Sequence, residues 1–307
     1  MNVGQSTSNN TPVSASFLAQ FAASLQNRGE GISPLTVSGY LLDLGKFAVW
    51  FRQSTAEDFR SDNVTPIDIR NYKEYLQTVK GRKPATINRH LAALRTFFTW
   101  AMQEGTATDN PVRVRNLEEP ITAPRSLNER TYHHLLRAMQ RYANKRDVAI
   151  VQLLRHAGLR VSELCSLQLQ DVEVSERKGK VIVRSGKGRQ YREIPLNLDV
   201  RRALQEYLDI RPNVADQHLF IGQRKNGLTD SAIQDMLSKY GQIAGLSHLS
   251  PHVLRHTFGR TLIDRKADLP TVQQLMGHKR IDSTVRYTKP SQQDMELAVA
   301  RLETEEA

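Results

Sequence analysis

Between Val112 and Glu129 the chain reads VRVRNLEEPITAPRSLNE, and the helical periodicity that precedes it stops. Pro120 and Pro124 stand in this stretch, and each disfavours helical backbone at the residue before it. A chain of 307 residues broken in this way reads as two units of ordinary domain size. Before the break, the segments ASFLAQFAASLQ, SPLTVSGYLLDLGKFAVWFRQ, TPIDIRNYKEYLQTV and KPATINRHLAALRTFFTWAMQEG carry apolar residues at helical steps. Ser33-Pro34 and Thr65-Pro66 supply an N-cap and a first-turn proline, and Gly81 and Gly105 fall where helices stop. These features predict a helical bundle over residues 15–114, a polar arm over 1–14 too poor in apolar side chains to order itself, and a linker over 115–126.

Beyond the break the pattern is mixed. Helical spacing returns in ERTYHHLLRAMQRYANK and DVAIVQLLRHAG, and short strands follow in LQDVEVS, KVIVRS and YREIPL, the last two flanking a GKG turn. Helical segments then continue to the end of the sequence. The fold class predicted is mainly α with a small β-sheet: an N-terminal helical bundle and an α+β domain over 127–307. Met295, Leu297, Val299 and Leu302 form the apolar side of the last helical segment, suited to docking on this domain or on another copy.

Charge narrows the partner. Lys and Arg number 43 against 32 Asp and Glu, a formal charge of +11, which favours nucleic acid or an acidic membrane surface. No apolar run approaches the ~20 residues of a membrane span, and the first residues lack a basic cluster and an apolar core, so a soluble, unexported protein is expected. The single cysteine, Cys165, excludes an intrachain disulfide framework and a cysteine-rich zinc module. From Lys80 to Arg95 there are five basic residues and no acid, while Ile87, Leu91, Leu94 and Phe98 recur at helical spacing. One face packs and the other meets DNA, with Arg82, Lys83, Thr86, Asn88, Arg89 and Arg95 as candidate contacts and Asn88 and Arg89 able to read base edges. A second block, residues 177–192, holds seven basic residues, Arg189 among them, and is expected to track a phosphate backbone.

Chemistry concentrates in three stretches. In SPHVLRHTFGR, Ser250 and Pro251 start a helix that sets His252, Arg255, His256 and Gly259 on one face. The two histidines have the spacing of zinc ligands, but position 253 is Val rather than the Glu that would activate a metal-bound water, and no third ligand follows. HAGLRVSEL places Arg160 in the connection after Gly158, where an arginine can fork onto phosphate oxygens. QQLMGHKRIDSTVRYTK ends a helix at Gly277, presents His278 and leads to Tyr287. Taken singly, each has a plainer explanation: GKG is a solvated turn, and RYTK carries a surface tyrosine.

Together they resemble the tyrosine recombinase (phage integrase-like) family. Its pattern is an Arg in A-G-L-R-x-S-E-L, a Lys in a β-turn, H-x-x-R on a helix, a His or Trp after L-x-G, and a Tyr nine residues later. Arg160, Lys187, His252, Arg255, His278 and Tyr287 stand here in that order. The resemblance covers residues 125–300 and, more loosely, the helical half, where it implies a SAM-like core-binding domain. It implies Tyr287 as nucleophile, forming a 3′-phosphotyrosyl intermediate without metal or cofactor. Arg160, Arg255 and His278 would hold the phosphate oxygens, Lys187 would protonate the leaving sugar oxygen, and His252 would handle the phenolic proton. Glu163 matches an acidic position that orients its neighbours, and His256 reads as a supporting residue.

The same resemblance implies double-stranded DNA with paired recombination sites, a homotetramer linked through the C-terminal helix, a Holliday junction, and a cytoplasmic, nucleoid-associated location. An accessory protein or partner recombinase fits it too. The layout is that of simple Xer-type members, without the added N-terminal domain of larger phage integrases. Two rival readings are a type IB topoisomerase, which would relax supercoils as a monomer, and a non-catalytic architectural DNA-binding protein, which would show erosion among the six positions.

Overall fold

The computed structural model describes residues 15–27, 32–119, 125–184, 191–278, 281–285, 287–288 and 295. It divides into two compact units, residues 1–120 and 121–307.

The first unit contains helices α1 (Ala15–Asn27), α2 (Pro34–Thr55), α3 (Pro66–Thr78) and α4 (Pro84–Gln103). Prolines open α2, α3 and α4 because a first-turn residue needs no N–H partner. Ser33 caps α2, and Thr65 with Asp68 forms a reciprocal capping box on α3. An aromatic core of Phe21, Phe47, Phe51, Phe59, Tyr72 and Phe97 joins the helices, with Phe47 meeting Tyr72 edge to face at 5.0 Å. Ile87, Leu91, Leu94 and Phe98 are buried, as the spacing of α4 requires.

The chain after α4 departs from expectation. Residues 115–119 read as the start of a linker, yet they lie along the first unit. Asn88 donates to the Leu117 carbonyl and accepts from the Leu117 amide, at 2.9 and 2.8 Å. Arg95 donates to Val114 O and Lys73 to Arg115 O. Side-chain amides and cations from α3 and α4 here replace the missing backbone ladder, which periodicity cannot reveal. The arm over 1–14 and residues 120–124 of the linker lie outside the described residues.

The second unit follows as α5 (Glu129–Tyr142), α6 (Lys145–Ala157), α7 (Val161–Ser166), a 3₁₀ turn (Leu169–Asp171) and strands β1 (Val172–Val174), β2 (Gly179–Arg184) and β3 (Tyr191–Pro195). Helices α8 (Leu198–Leu208), α9 (Asp230–Ile243), α10 (Pro251–Asp264), α11 (Leu269–Met276) and α12 (Asp282–Val285) follow among the described residues. The sheet is antiparallel in the order β1-β2-β3, with Val181 opposite both Val172 and Ile194. Val181, Val183 and Ile194 face a core shared with Ile150, Leu154, Leu204, Tyr207 and Leu237. A smaller apolar cluster of Phe258, Val272, Met276 and Tyr287 lies against α10 and α11. Met295 is exposed, and Leu297, Val299 and Leu302 lie outside the described residues. Among the described residues no helix is long and apolar enough to cross a membrane.

Candidate active site

Two helix ends and one carboxylate build the centre. Helix α6 stops at Gly158, whose φ of +60° takes the left-handed conformation that glycine adopts without strain. A Cβ there would overlap the Phe258 ring. Helix α11 stops at Gly277, φ +62°, where a Cβ would come within 2.7 Å of the Arg192 guanidinium. The last carbonyls of a helix have no partner within it and carry the negative end of its dipole. Arginines take them: Arg255 donates to Gly158 O and, at 2.6 Å, to Met276 O. Arg160 donates to Gly277 O at 2.9 Å and Arg192 to Leu275 O at 3.0 Å.

Glu163 lies among these cations. Its carboxylate accepts from the Arg160 backbone amide at 2.8 Å and from the Arg160 guanidinium at 2.7 Å. Arg192 binds it through two nitrogens, at 3.0 and 2.8 Å, and Arg255 stands 3.8 Å away. The side chains of Arg192 and Glu163 are each 10 % exposed. Burial pushes the Glu163 carboxyl up, but the hydrogen bonds from Arg192 and the Arg160 backbone outweigh it and hold the group at about 2. Arg255 is brought down to about 10, by burial first and then by the neighbouring Arg160 charge, and stays protonated at neutral pH. Three guanidinium groups around one carboxylate leave two net positive charges, an anion-binding centre.

Tyr287 lies beside it, 2 % exposed. Its hydroxyl shares a 2.8 Å hydrogen bond with His256 Nδ1. The His278 ring runs parallel to the Tyr287 ring, 6.1 Å between centroids and 5° between planes, and His278 Nδ1 shares a hydrogen bond with Thr284 Oγ1. Gly259 makes room: a Cβ at that turn of α10 would meet Met276 Sδ at 2.8 Å and the Tyr287 ring at 3.1 Å.

Arg160, Glu163, Arg255, His256, His278 and Tyr287, scattered over more than 120 positions of sequence, thus converge. His252 is exposed on the first turn of α10, its ring centroid 6.4 Å from that of His256. The hydrogen-bond partner of the Tyr287 hydroxyl is His256, one turn further along. Lys187 and Arg189 lie outside the described residues.

Arg192 is the residue that sequence reasoning missed. It was expected to track a phosphate backbone within the basic block 177–192, but its place in β3 turns it inward with Ile194. The signal was available: residues two apart in a strand share a face, and a cation beside a core isoleucine needs a carboxylate. Two other cations of the block are paired as well: Arg184 with Asp171, and Lys180 with Glu173 and Glu193.

In the first unit Arg82 and Lys83 are exposed and Thr86 is half-buried. Asn88, expected to read base edges, is 9 % exposed, and its amide holds Leu117 and Glu119. Arg95 turns in part to the Val114 carbonyl. Arg89, 46 % exposed, pairs at 2.8 Å with Asp43, a buried acid on α2 that no reading of α4 alone could show. Asp43 also lies 3.3 Å from His90 Nε2, whose Nδ1 shares a hydrogen bond with Tyr72 Oη. Burial raises Asp43 from its ordinary value, against the pull of Arg89, and burial lowers His90 to about 4.

Comparison with known proteins adds an independent line. Residues 125–294 match the phage integrase family, and residues 18–105 match the N-terminal SAM-like domain of phage integrases. A tyrosine recombinase XerC of Alcanivorax borkumensis is 34 % identical over 266 residues, covering 84 % of each chain. A XerC of Thermodesulfovibrio yellowstonii is 34 % identical over 271 residues, 84 % of this chain and 87 % of its own. Among solved structures, a XerA recombinase superposes with a TM-score of 0.53 at 28 % identity, covering 93 % of this chain and 98 % of its own. XerH bound to its difH substrate superposes at 0.71 with 23 % identity, covering 93 % and 84 %.

Proposed function

This chain belongs to the phage integrase family and is a site-specific tyrosine recombinase, and from that premise we propose that it cleaves and rejoins double-stranded DNA through Tyr287. The observation that carries the reading is the convergence of Arg160 and Arg255 on helix-end carbonyls and Glu163, beside a buried tyrosine. A phosphodiester repels a nucleophile, increasingly as charge develops on its non-bridging oxygens. Arg160 and Arg255 offer planar, permanently charged donors to those oxygens, already fixed before the substrate arrives. His278, whose ring runs parallel to that of Tyr287, adds a ring N–H.

Attack by Tyr287 forms a 3′-phosphotyrosyl ester and releases a 5′ oxygen, which Lys187 protonates. The ester keeps the bond energy for rejoining, so no ATP is consumed. His252, exposed at the start of α10, acts at the phosphate. In the first unit, Arg82, Lys83 and Arg89 contact DNA, joined by Thr86 at the edge of that face; Arg95 contributes less, and Arg189 follows the backbone near Lys187. The formal charge of +11 makes binding fall with salt. Two sites are exchanged by four copies through a Holliday junction, the segment after Tyr287 linking neighbours, with the assembly on the nucleoid; an accessory protein or partner recombinase is compatible with this scheme.

The test is covalent capture. A nicked duplex bearing sites from DNA beside the gene is incubated in EDTA with wild type and with Tyr287→Phe, then run on a denaturing gel. A protein–DNA band from wild type alone supports the reading, and a second duplex then tests exchange. An adduct from Tyr287→Phe identifies a different nucleophile. Relaxation of a supercoiled plasmid lacking paired sites favours a topoisomerase.

A further inference from the structure

In the mechanism above, the Tyr287 phenol must release a proton as its oxygen bonds to phosphorus. The structure brings His256 Nδ1 to 2.8 Å from Tyr287 Oη, within hydrogen-bond reach, the first requirement of a general base. The position is built from several sides. His256 directly follows Arg255, the residue on α10 that holds the helix ends, and Gly259, three residues on, leaves the space that the phenol ring fills. The rings of His256 and Tyr287 are 5.6 Å apart and inclined at 51°, while the parallel His278 ring borders the tyrosine 6.1 Å away. Thr284 engages His278 Nδ1, so the two imidazoles meet Tyr287 differently: one at its hydroxyl, one at its ring.

We propose that His256 is a catalytic residue of strand cleavage, the base that accepts the Tyr287 phenolic proton, an inference that rests on the recombinase reading. As the Oη–phosphorus bond forms, the proton on Oη passes to Nδ1 and the bond from phosphorus to the 5′ oxygen breaks. That oxygen leaves with a proton from the general acid. On rejoining, the 5′ hydroxyl attacks phosphorus and gives its proton back to the general acid's deprotonated form, the Oη–phosphorus bond breaks, and the imidazolium returns its proton to the phenolate. A phenol is a far weaker acid than an imidazolium, so transfer completes only while the bond to phosphorus forms beside Arg160 and Arg255. His252, exposed at the rim, is left for the phosphate.

The experiment measures the rate of adduct formation on the nicked duplex by full-length wild type, His256→Asn and His256→Gln. Each carries either tyrosine or a fluorinated tyrosine, which ionises more readily, at position 287. Thermal melting and duplex gel shift establish that each variant is folded and binds. The His256 substitutions slow cleavage by about 10²- to 10⁴-fold at unchanged duplex affinity, and fluorination restores at least tenfold in them while changing wild type little. Variants as fast as wild type, or faster, overturn the inference and make the contact a latch on an idle tyrosine. Slow variants that fluorination does not rescue overturn it in favour of a packing role. In both cases wild type still forms the adduct, so the recombinase reading stands; only a wild type that forms none removes both.

Discussion

Glu163 is a carboxylate bound by Arg160, from its own helix start, and Arg192, from β3, with Arg255 of α10 close by. Converting it to Gln keeps the shape and removes the charge, leaving the guanidinium groups to repel one another in a nearly closed site. Breaking a buried pair by removing one partner costs about 3–5 kcal/mol. Glu163→Gln is therefore expected to lower unfolding free energy by about that amount in urea and to slow covalent capture more than it weakens duplex binding. Because its folded value of about 2 lies below the ordinary carboxylate value of 4.5, this contribution is complete above pH ~4.5 and is lost as pH falls toward 2. The motif A-G-L-R-x-S-E-L made Arg160 and Glu163 legible in sequence. Arg192 was hidden because its partner lies 29 positions earlier, and periodicity reports which face a side chain takes but not what waits there.

At the scale of elements, glycines at helix ends do different work from glycines within helices. Gly158 has positive φ and faces the Phe258 ring, so Gly158→Ala meets backbone strain and steric overlap together. A loss of about 2–4 kcal/mol is expected, with a cleavage defect because the Gly158 carbonyl holds Arg255. Gly45 lies inside α2, with nothing within 4 Å of where a Cβ would stand. Gly45→Ala is expected to raise stability by about 0.5–1 kcal/mol, and thermal melts of the two variants should move in opposite directions. The elements themselves were largely legible: prolines and caps announced the starts of α2, α3 and α10, and strand alternation announced β2 and β3. The docking of 115–119 was not, since its hydrogen bonds come from side chains of distant helices.

At the scale of the molecule, each unit holds a histidine kept neutral by burial. His90 in the first unit and His156 in the second are both lowered from 6.5 to about 4. His156 sits between Tyr132 and Asn197, and the Arg155 charge adds to the effect of burial. For each, the unfolded chain binds the extra proton first, so stability is greatest above pH ~6.5 and falls as pH drops toward 4. Asp43, raised by burial, opposes this in the lower part of the window for the first unit alone. Urea titrations from pH 7 to 4.5, followed by a probe in each unit, should show both midpoints falling, and His156→Gln should flatten the response of the second unit only.

The acceptors that fix Arg160, Arg192 and Arg255 at the helix ends are main-chain oxygens of Gly158, Leu275, Met276 and Gly277. Every codon encodes a carbonyl, so no missense change can delete these anchors; it can only bend them out of place. Inherited variation at residues 275 and 276 is thereby filtered for shape rather than chemistry, which allows neighbouring side chains to be exchanged over generations while the cations keep their positions. A deep mutational library of this segment would return tolerance at 275 and 276 wherever apolar volume is preserved, and intolerance at 158 and 277.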